Sequence, residues 1–562
     1  MIDQLPPALI LIVGSLLIPL LRGRLQSAYM LLLPVAGLAH LLGLNPGEYC
    51  RIGIFDYSLT LVRIDSLSLV FGYIFHIAAL LGVIYALHVK DNAQHVAGLF
   101  YAGSAVGALF AGDLITLFVF WELSAISSVF LIWSRRTNRA YAAGMRYLIV
   151  QVCSGMILLA GILIHLRETG SIAFEALGLN GLGTTLVFIA FGIKCAFPLL
   201  HNWLSDAYPE ATVTGTVFLS AFTTKLAVYA LARGFPGTEI LIPIGAAMTV
   251  FPMFYAIIEN DLRRVLAYSL NIQLGFMVVG VGIGTQTALN GTAAHAVTHV
   301  IYKALLFMTM GAVLFRTGTA RASELGGLYR SMPLTAVFCI IGAASISAVP
   351  FFNGFVSKSF ILGAVADGHY VLTWLALLFA SAGVMLYTGI RIPYLAFFSA
   401  DSGIRCKEAP LNMRIAMGAA AAICVLIGII PKPLYGILPY EVNYEPYTAN
   451  HLVTQFQLLF FSALAFLVLK RTGIYPAVHR SVNLDTDWVY RRLLPGIVRV
   501  MARSGGSAGR SILEGGKALV AAAVSGCRQY HGPQGILGRS WTTGTAVLVV
   551  TVFLAAFMIF CF

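Results

Sequence analysis

The chain has 562 residues, of which 59% are hydrophobic and only 10% charged, and its formal net charge is +13. Soluble globular proteins carry about 25% charged residues, so this composition excludes large water-soluble domains and indicates an integral membrane protein. The eight cysteines form no CxxC pair, which argues against an iron–sulfur cluster or a structural zinc site.

Apolar runs long enough to cross a bilayer, about 20 residues each, recur along the whole chain. They predict an all-α membrane protein of about 14–16 transmembrane helices, centred near residues 14, 36, 77, 103, 123, 154, 190, 222, 248, 274, 303, 348, 383, 421, 461 and 551. The first run is followed by Arg22 and Arg24 and not by a small-residue cleavage site, so it is predicted to be a membrane span.

Basic residues concentrate in alternate loops between the predicted spans. Such loops usually face the cytoplasm, which predicts a multi-pass protein of the plasma or inner membrane with both termini outside. The basic loops contain Arg22/Arg24, Lys90, Arg135/Arg136/Arg139, Arg263/Arg264, Arg316/Arg321/Arg330 and Arg405/Lys407/Arg414.

Two spans combine a lysine with residues that break helices. They read GIKCAFPLLHNWL around residue 194 and AVPFFNGFVSKSFIL around residue 354. Interrupted helices in corresponding positions of two halves are typical of inverted repeats around a transport route. The predicted domains are therefore N-terminal helices (1–94), two five-helix repeats (95–232 and 238–396), C-terminal helices (397–470), a basic interfacial segment (471–540) and a final span (541–562).

Seven ionisable residues lie at bilayer depth in the predicted spans, where a charge costs about 2.5–3.5 kcal/mol on insertion scales. His295, His299 and Lys303 are spaced at steps of four, which places them on one helix face. Amines, imidazoles and one carboxylate in apolar surroundings favour proton transfer along a polar axis. The candidate proton-transfer residues are Glu122, Lys194, Lys225, His295, His299, Lys303 and Lys358.

Structural roles for these residues remain open at this point. A lysine near a helix end can extend to the interface, Glu122 can hold two helices together by pairing with a lysine, and a buried histidine can be a hydrogen-bonded core residue. His201, Trp203 and Asp206 are expected to order a loop. His295 and His299 also have zinc-ligand spacing, but no third ligand is suitably placed, so no metal is expected.

Six motifs resemble those of a known family, the antiporter-like membrane subunits of respiratory complex I and especially the D-type subunit of Mrp sodium/proton antiporters. They span about residues 95–395 and read FVFWELSAISS, GIKCAFPLLHNWLSDAYP, TTKLAVYALAR, ENDLRRVLAYSLNIQLGFMVVG, THVIYKALLF and GFVSKSFIL. The resemblance implies that the proton path consists of the same seven residues named above.

The sequence departs from the family pattern at two places. Pro198 follows Lys194 by four residues instead of five, so the helix break is expected to be shifted. The stretch 484–530, which begins with LDTDWVYRRL, is similar to the lateral helix of the longest complex I subunit. Pro495 and the glycines at 505, 506, 509, 515 and 516 argue against one continuous helix, and an interfacial segment is predicted instead.

The sequence thus predicts a proton-translocating subunit of a multi-subunit membrane complex, with sodium/proton exchange as one form of that activity. Its expected partners are other membrane subunits, lipid and the ions, with no nucleic acid, cofactor or redox centre in the chain itself. Membership of an NADH/quinone or hydrogenase-type oxidoreductase complex, a role in inorganic-carbon uptake, and a structural anchor without transport remain as alternatives.

Overall fold

The computed structural model describes residues 5–54, 57–473, 485–486, 488–504, 507–531 and 543–561. The chain divides into two compact units, Met1–Asn483 and Leu484–Phe562. In chain order the α-helices are α1 Pro7–Leu16, α2 Gly23–Leu42, α3 Ser66–Ala86, α4 Asn92–Phe110, α5 Leu114–Trp133, α6 Asn138–Thr169, α7 Leu182–Cys195, α8 Asn202–Ala207, α9 Gly215–Ala221, α10 Thr223–Gly234, α11 Leu241–Ile258, α12 Leu262–Ile283, α13 Gln286–Thr317, α14 Pro333–Ile346, α15 Asn353–Asp367, α16 Val371–Val384, α17 Arg391–Pro393, α18 Leu411–Ile429, α19 Lys432–Tyr435, α20 Ala449–Arg471, α21 Leu494–Ser504, α22 Ser507–His531 and α23 Thr543–Cys561.

The predicted helical membrane fold is confirmed. Eleven helical stretches of the described residues are long and apolar enough to cross a membrane. Fourteen of the sixteen predicted centres lie inside helices, and the other two, residues 222 and 348, lie at interruptions between consecutive helices. In the first unit, α9, α10, α12 and α13 are almost wholly buried, so they form its centre.

One element was not predicted, a β-hairpin between α2 and α3. Strands β1 Gly47–Ile54 and β2 Tyr57–Ile64 pair antiparallel. The hairpin is attached to the start of α5, because Thr60 N–H donates to Asp113 Oδ2 over 2.8 Å and Gly112 N–H donates to Thr60 O over 2.9 Å.

Side-chain caps fix where the central helices begin. Asp113 and Thr137 accept hydrogen bonds from the first turns of α5 and α6, and Asp261 and Thr285 do the same for α12 and α13. Such caps satisfy backbone N–H groups that have no partner within the helix. In both pairs the second cap follows the first by 148 residues.

The same displacement of 148 residues relates other features of the two halves. Helices α6 and α13 both have 32 residues, and both end at a glycine with left-handed backbone, Gly170 and Gly318. The isolated bridge between Asp113 and Ala173 has its counterpart in that between Asp261 and Arg321. Two similar groups of helices therefore follow each other, while their inversion and their predicted boundaries, 95–232 and 238–396, stay predictions.

Each half contains an interrupted helix where the sequence places one. Helix α7 ends at Cys195, residues 196 and 199 have positive φ, and α8 begins at Asn202. Helix α14 ends at Ile346, residues 348 and 351 have positive φ, and α15 begins at Asn353. Backbone groups freed at such a break need new partners.

Side chains from neighbouring segments supply these partners. Trp203 Nε1 donates to Ile193 O over 3.0 Å at the first break, and Gln455 Nε2 donates to Ala348 O over 2.9 Å at the second. His201 packs edge-on against Phe251, and Asp206 pairs with Arg146, so the three loop residues singled out by the sequence lie in well-packed structure.

The second unit contains π-helical residues Val489–Leu493 followed by α21, α22 and α23. Pro495 is the second residue of α21, where proline is tolerated. Helix α22 runs through Gly509, Gly515 and Gly516, so the prediction that these glycines break a helix is wrong. Gly505, Gly506 and Trp541 lie outside the described residues, as do 474–484 and 532–542 of the predicted interfacial segment.

Candidate functional site

Glu122 and Lys194 form the first part of the site, between α5 and α7. Lys194 is fully buried, and its Nζ donates to Trp121 O over 2.8 Å and to Ser124 Oγ over 3.1 Å. The amine also lies 4.0 Å from the centre of the Trp121 ring. Glu122 is half-buried on the same helix turn and interacts electrostatically with Lys194.

Lys225 links this pair to the second half of the chain. It is fully buried at the start of α10, where its Nζ donates to Ser220 O and Thr224 Oγ1. The break between α9 and α10 frees the carbonyl that it binds. Lys225 interacts electrostatically with Cys195, the neighbour of Lys194, and with both histidines of α13.

His295 and His299 stack on one face of α13, with ring centroids 6.0 Å apart. His295 bonds Ser357 Oγ over 3.0 Å through Nδ1 and Gln273 Oε1 over 3.1 Å through Nε2. Neither ring nitrogen of His299 has a hydrogen-bond partner among the described residues. One imidazole is therefore held by protein groups, and the other is available to internal water.

Lys303 lies further along α13, one turn beyond His299, and is also fully buried. Its Nζ donates to Leu266 O over 3.1 Å and to Ser269 Oγ over 2.6 Å, both on α12. Thr388 Oγ1 contacts the same serine hydroxyl at 3.3 Å. The amine of Lys303 is therefore held by α12 and not by its own helix.

Lys358 completes the set from α15, beyond the second helix break. It is 2% exposed, and its Nζ donates over 3.0 Å to Ile346 O, the last carbonyl of α14. The preceding residue, Ser357, bonds both His295 and Thr298. The break thus places an amine and a hydroxyl beside the histidine face of α13.

Several buried polar atoms near these residues have no hydrogen-bond partner within the described part of the chain. They are both amide atoms of Gln151, Asn271 Oδ1, Gln273 Nε2 and both nitrogens of His299. A buried polar atom without a partner costs about 1–3 kcal/mol, and bound water commonly supplies the missing bond. These atoms mark the positions where water would enter the site.

A charged cavity of about 660 Å³ opens at one end of the central helices. It is lined by five arginines (Arg135, Arg139, Arg263, Arg264 and Arg321) and four acids (Glu210, Glu259, Asp261 and Glu324). The arginines come from three loop regions that the basic-residue pattern assigns to one side of the membrane, so the structure brings those regions to a common face.

The sequence missed two buried arginines. Arg263, predicted as a loop residue, lies in the first turn of α12 and is 1% exposed, because its guanidinium binds the carbonyls of Pro209, Ala211 and Thr212. Arg391 of α17 donates to Ala256 O over 2.7 Å and to Glu259 O over 2.8 Å at the end of α11.

The structure brings all but one of the sequence candidates into the buried centre, and the exception, Glu122, lies at its edge. The sequence did not identify the polar partners Ser124, Ser269, Gln273, Ser357 and Tyr302. A signal for two of them was present, because Ser269 and Gln273 follow Leu266 at steps of three and four residues on an otherwise apolar helix.

Comparison with known proteins identifies related chains. Residues 111–385 match the family model described as NADH:quinone oxidoreductase/Mrp antiporter, TM. Hydrogenase-4 component B of Escherichia coli K12 is 27% identical over 67% of this chain and 63% of its own length. The A/B component of a probable K(+)/H(+) antiporter of Rhizobium meliloti is 30% identical over 67% and 40%, so the chain spans less than two thirds of either relative.

The putative antiporter subunit mnhD2 of Staphylococcus aureus is 28% identical over 60% of this chain and 72% of its own. Two solved structures share the fold, each at 22% identity and a TM-score of 0.69. In the Mrp complex from Dietzia sp. DQ12-45-1b the match covers 81% of this chain and 98% of that chain, and in the archaeal membrane-bound sulfane sulfur reductase it covers 82% and 98%. The motifs, the matched family model and the fold agree, and the chain belongs to the NADH:quinone oxidoreductase/Mrp antiporter family of antiporter-like membrane subunits.

Proposed function

We propose that the chain is a proton-translocating subunit of a multi-subunit membrane complex. The observation that carries this proposal is the set of four lysines, each at most 2% exposed, whose amines bind backbone carbonyls and hydroxyls. A structural anchor would gain nothing from four buried amines, since hydrophobic side chains of similar volume avoid the cost of desolvating a charge.

The proposed path runs from Glu122 and Lys194 through Lys225 to the histidines, Lys303 and Lys358. Burial penalises the charged form of an amine, while a carboxylate nearby favours it. A change in the distance between Glu122 and Lys194 would therefore make the amine take up or release a proton. This release would favour proton uptake at the next lysine, because fewer positive charges then share the low-dielectric interior.

The histidines are proposed to pass protons between the lysines. His295 is fixed by Gln273 and Ser357, whereas His299 has two nitrogens available to water. A ring with both nitrogens accessible can accept a proton on one side and donate from the other. Water at the unpaired amide atoms would complete the chain of hydrogen bonds.

We further propose that the partners are membrane subunits of the same complex and that the basic loops face the cytoplasm. The relatives include chains named as antiporter subunits and as a hydrogenase component, so both ion exchange and a redox-driven complex are compatible with this fold. Purifying the intact complex through a tagged chain separates these cases, because only the second contains iron–sulfur subunits.

Proton flux in vesicles containing the intact complex tests the proposal. Lys194→Ala and Lys303→Ala are each expected to reduce flux by at least 10²-fold, about the range for losing a proton-transfer group. Lys90→Ala, which removes an exposed lysine, is the matched control and should leave flux unchanged. Normal flux in both buried variants, with the complex assembled, would contradict the proposal. Adding sodium or potassium to either side then identifies any exchanged ion.

A further inference from the structure

Helix α6 has no side chain at the point where Glu122 meets it. A Cβ added to Gly155 would overlap Oε1 of Glu122 and lie 3.1 Å from its Cγ. That oxygen is buried, although Glu122 lies on the half-exposed side of α5 between Val119 and Ile126, each 47% exposed. One carboxylate oxygen is thus held inside the bundle because residue 155 is glycine.

The residue before Gly155 fixes the residue before Glu122. Ser154 Oγ accepts a hydrogen bond from Trp121 Nε1 over 3.3 Å and donates to Ala190 O of α7 over 2.8 Å. The carbonyl of Trp121 in turn accepts a hydrogen bond from Lys194. Ser154 and Gly155 therefore hold the Trp121–Glu122 pair against the helix that carries Lys194.

The second half shows how the corresponding gap is used there. At the displacement of 148 residues, Gly155 corresponds to Lys303 and Glu122 to Leu270, which is fully buried. Lys303 extends from α13 towards α12, where it binds Leu266 O and Ser269 Oγ. Each half thus has one ionisable group between these two paired helices, supplied by α5 in the first half and by α13 in the second.

We infer that Gly155 is a positioning residue, whose missing side chain keeps the Glu122 carboxylate inside the bundle within range of Lys194. The inference rests on the proposed role of Glu122 in proton transfer. A methyl group at residue 155 would push the carboxylate towards the exposed face of α5 and away from the amine. The chemistry at Lys194 would remain intact, but its switch would be displaced.

The test is Gly155→Ala in the intact complex, which should lower proton flux by about tenfold or more, since displacements near 1 Å can cost that much. Adding Glu122→Asp shortens the acid by one methylene and should restore a substantial part of the flux. In a Glu122→Gln background, Gly155→Ala should cause no further loss. Met156→Ala changes the adjacent, 66% exposed residue of α6 and is the control, with flux expected to stay normal.

Infrared spectroscopy gives a readout that does not depend on transport. The carbonyl band of protonated Glu122, identified by its loss in Glu122→Gln, should shift in Gly155→Ala and stay in place in Met156→Ala. Normal flux and an unshifted band in Gly155→Ala would overturn the inference, even if Glu122→Gln is inactive. Full flux in Glu122→Gln would instead refute the proposed role of Glu122, while the band would still report its position.

If Gly155→Ala prevents assembly, the double variant with Glu122→Asp decides. Restored assembly with restored flux supports the inference, because the shorter acid removes the specific overlap. Failure of the double variant to restore either would overturn it.

Discussion

The two stacked histidines of α13 differ in what holds them, and this difference separates stability from activity. His295 makes hydrogen bonds with Ser357 and Gln273, whereas His299 makes none within the described residues. Replacing a hydrogen-bonded buried group by an apolar one leaves its partners unpaired at a cost of about 1–3 kcal/mol, whereas replacing an unbonded one does not.

His295→Leu is therefore expected to lower the unfolding temperature of the purified complex, and His299→Leu to leave it unchanged or raise it. Both should reduce proton flux by about 10²-fold, because each removes a titratable group from the proposed path. Thermal unfolding in detergent and flux in vesicles check the two effects separately. An equal loss of stability in both variants would contradict the different roles assigned to the rings.

Among the elements, the interrupted helices depend on side chains from outside themselves. Gln455 of α20 donates to Ala348 O at the second break, whereas Ser462 on the same helix donates to Leu458 O, one turn before it. The first bond joins two elements, and the second lies within one.

Gln455→Leu is expected to reduce the free energy of unfolding by about 1–3 kcal/mol, because Ala348 O loses its donor in a buried position. Ser462→Ala, the control on the same helix, should change it by less than about 0.5 kcal/mol. Chemical unfolding in detergent measures both. Equal effects would show that α20 does not support the break.

The sequence predicted the elements better than the contacts between them. Spans were recognisable because an apolar run of about 20 residues leaves few alternatives in a bilayer. The hairpin at 47–64 was missed because its eight-residue strands are shorter than that length and include Glu48, Arg51 and Arg63. Partners such as Gln273 and Ser357 could not be paired with His295, since contacts 22 and 62 residues apart in sequence depend on how helices pack.

For the molecule as a whole, Arg263 joins the two groups of helices. It begins α12 of the second group and binds three carbonyls of the segment between α8 and α9 in the first. Its planar guanidinium reaches several acceptors at once, which a lysine ammonium on a flexible stem does not reproduce. The positive-inside pattern indicated which loop carries this arginine but not its buried role.

Arg263→Lys is expected to destabilise the complex by about 3 kcal/mol or more, because at least two charged hydrogen bonds are lost. Arg136→Lys provides the control, since the side chain of Arg136 is 78% exposed and its pairing with Asp91 should contribute less than about 1 kcal/mol. Thermal unfolding and limited proteolysis compare the two. A tolerated Arg263→Lys would show that the junction depends on other contacts.

The positive φ angles at the helix breaks bear on how such a protein can move. Ala196, Leu199, Ala348 and Phe351 adopt a backbone conformation that glycine reaches without strain and other residues adopt at a cost of about 1–3 kcal/mol each. Residues with a Cβ restrict the chain to fewer alternatives than glycine would. The breaks are thus fixed corners and not hinges, and any cycle of the protein would proceed by rotation of side chains and rearrangement of water around a rigid backbone.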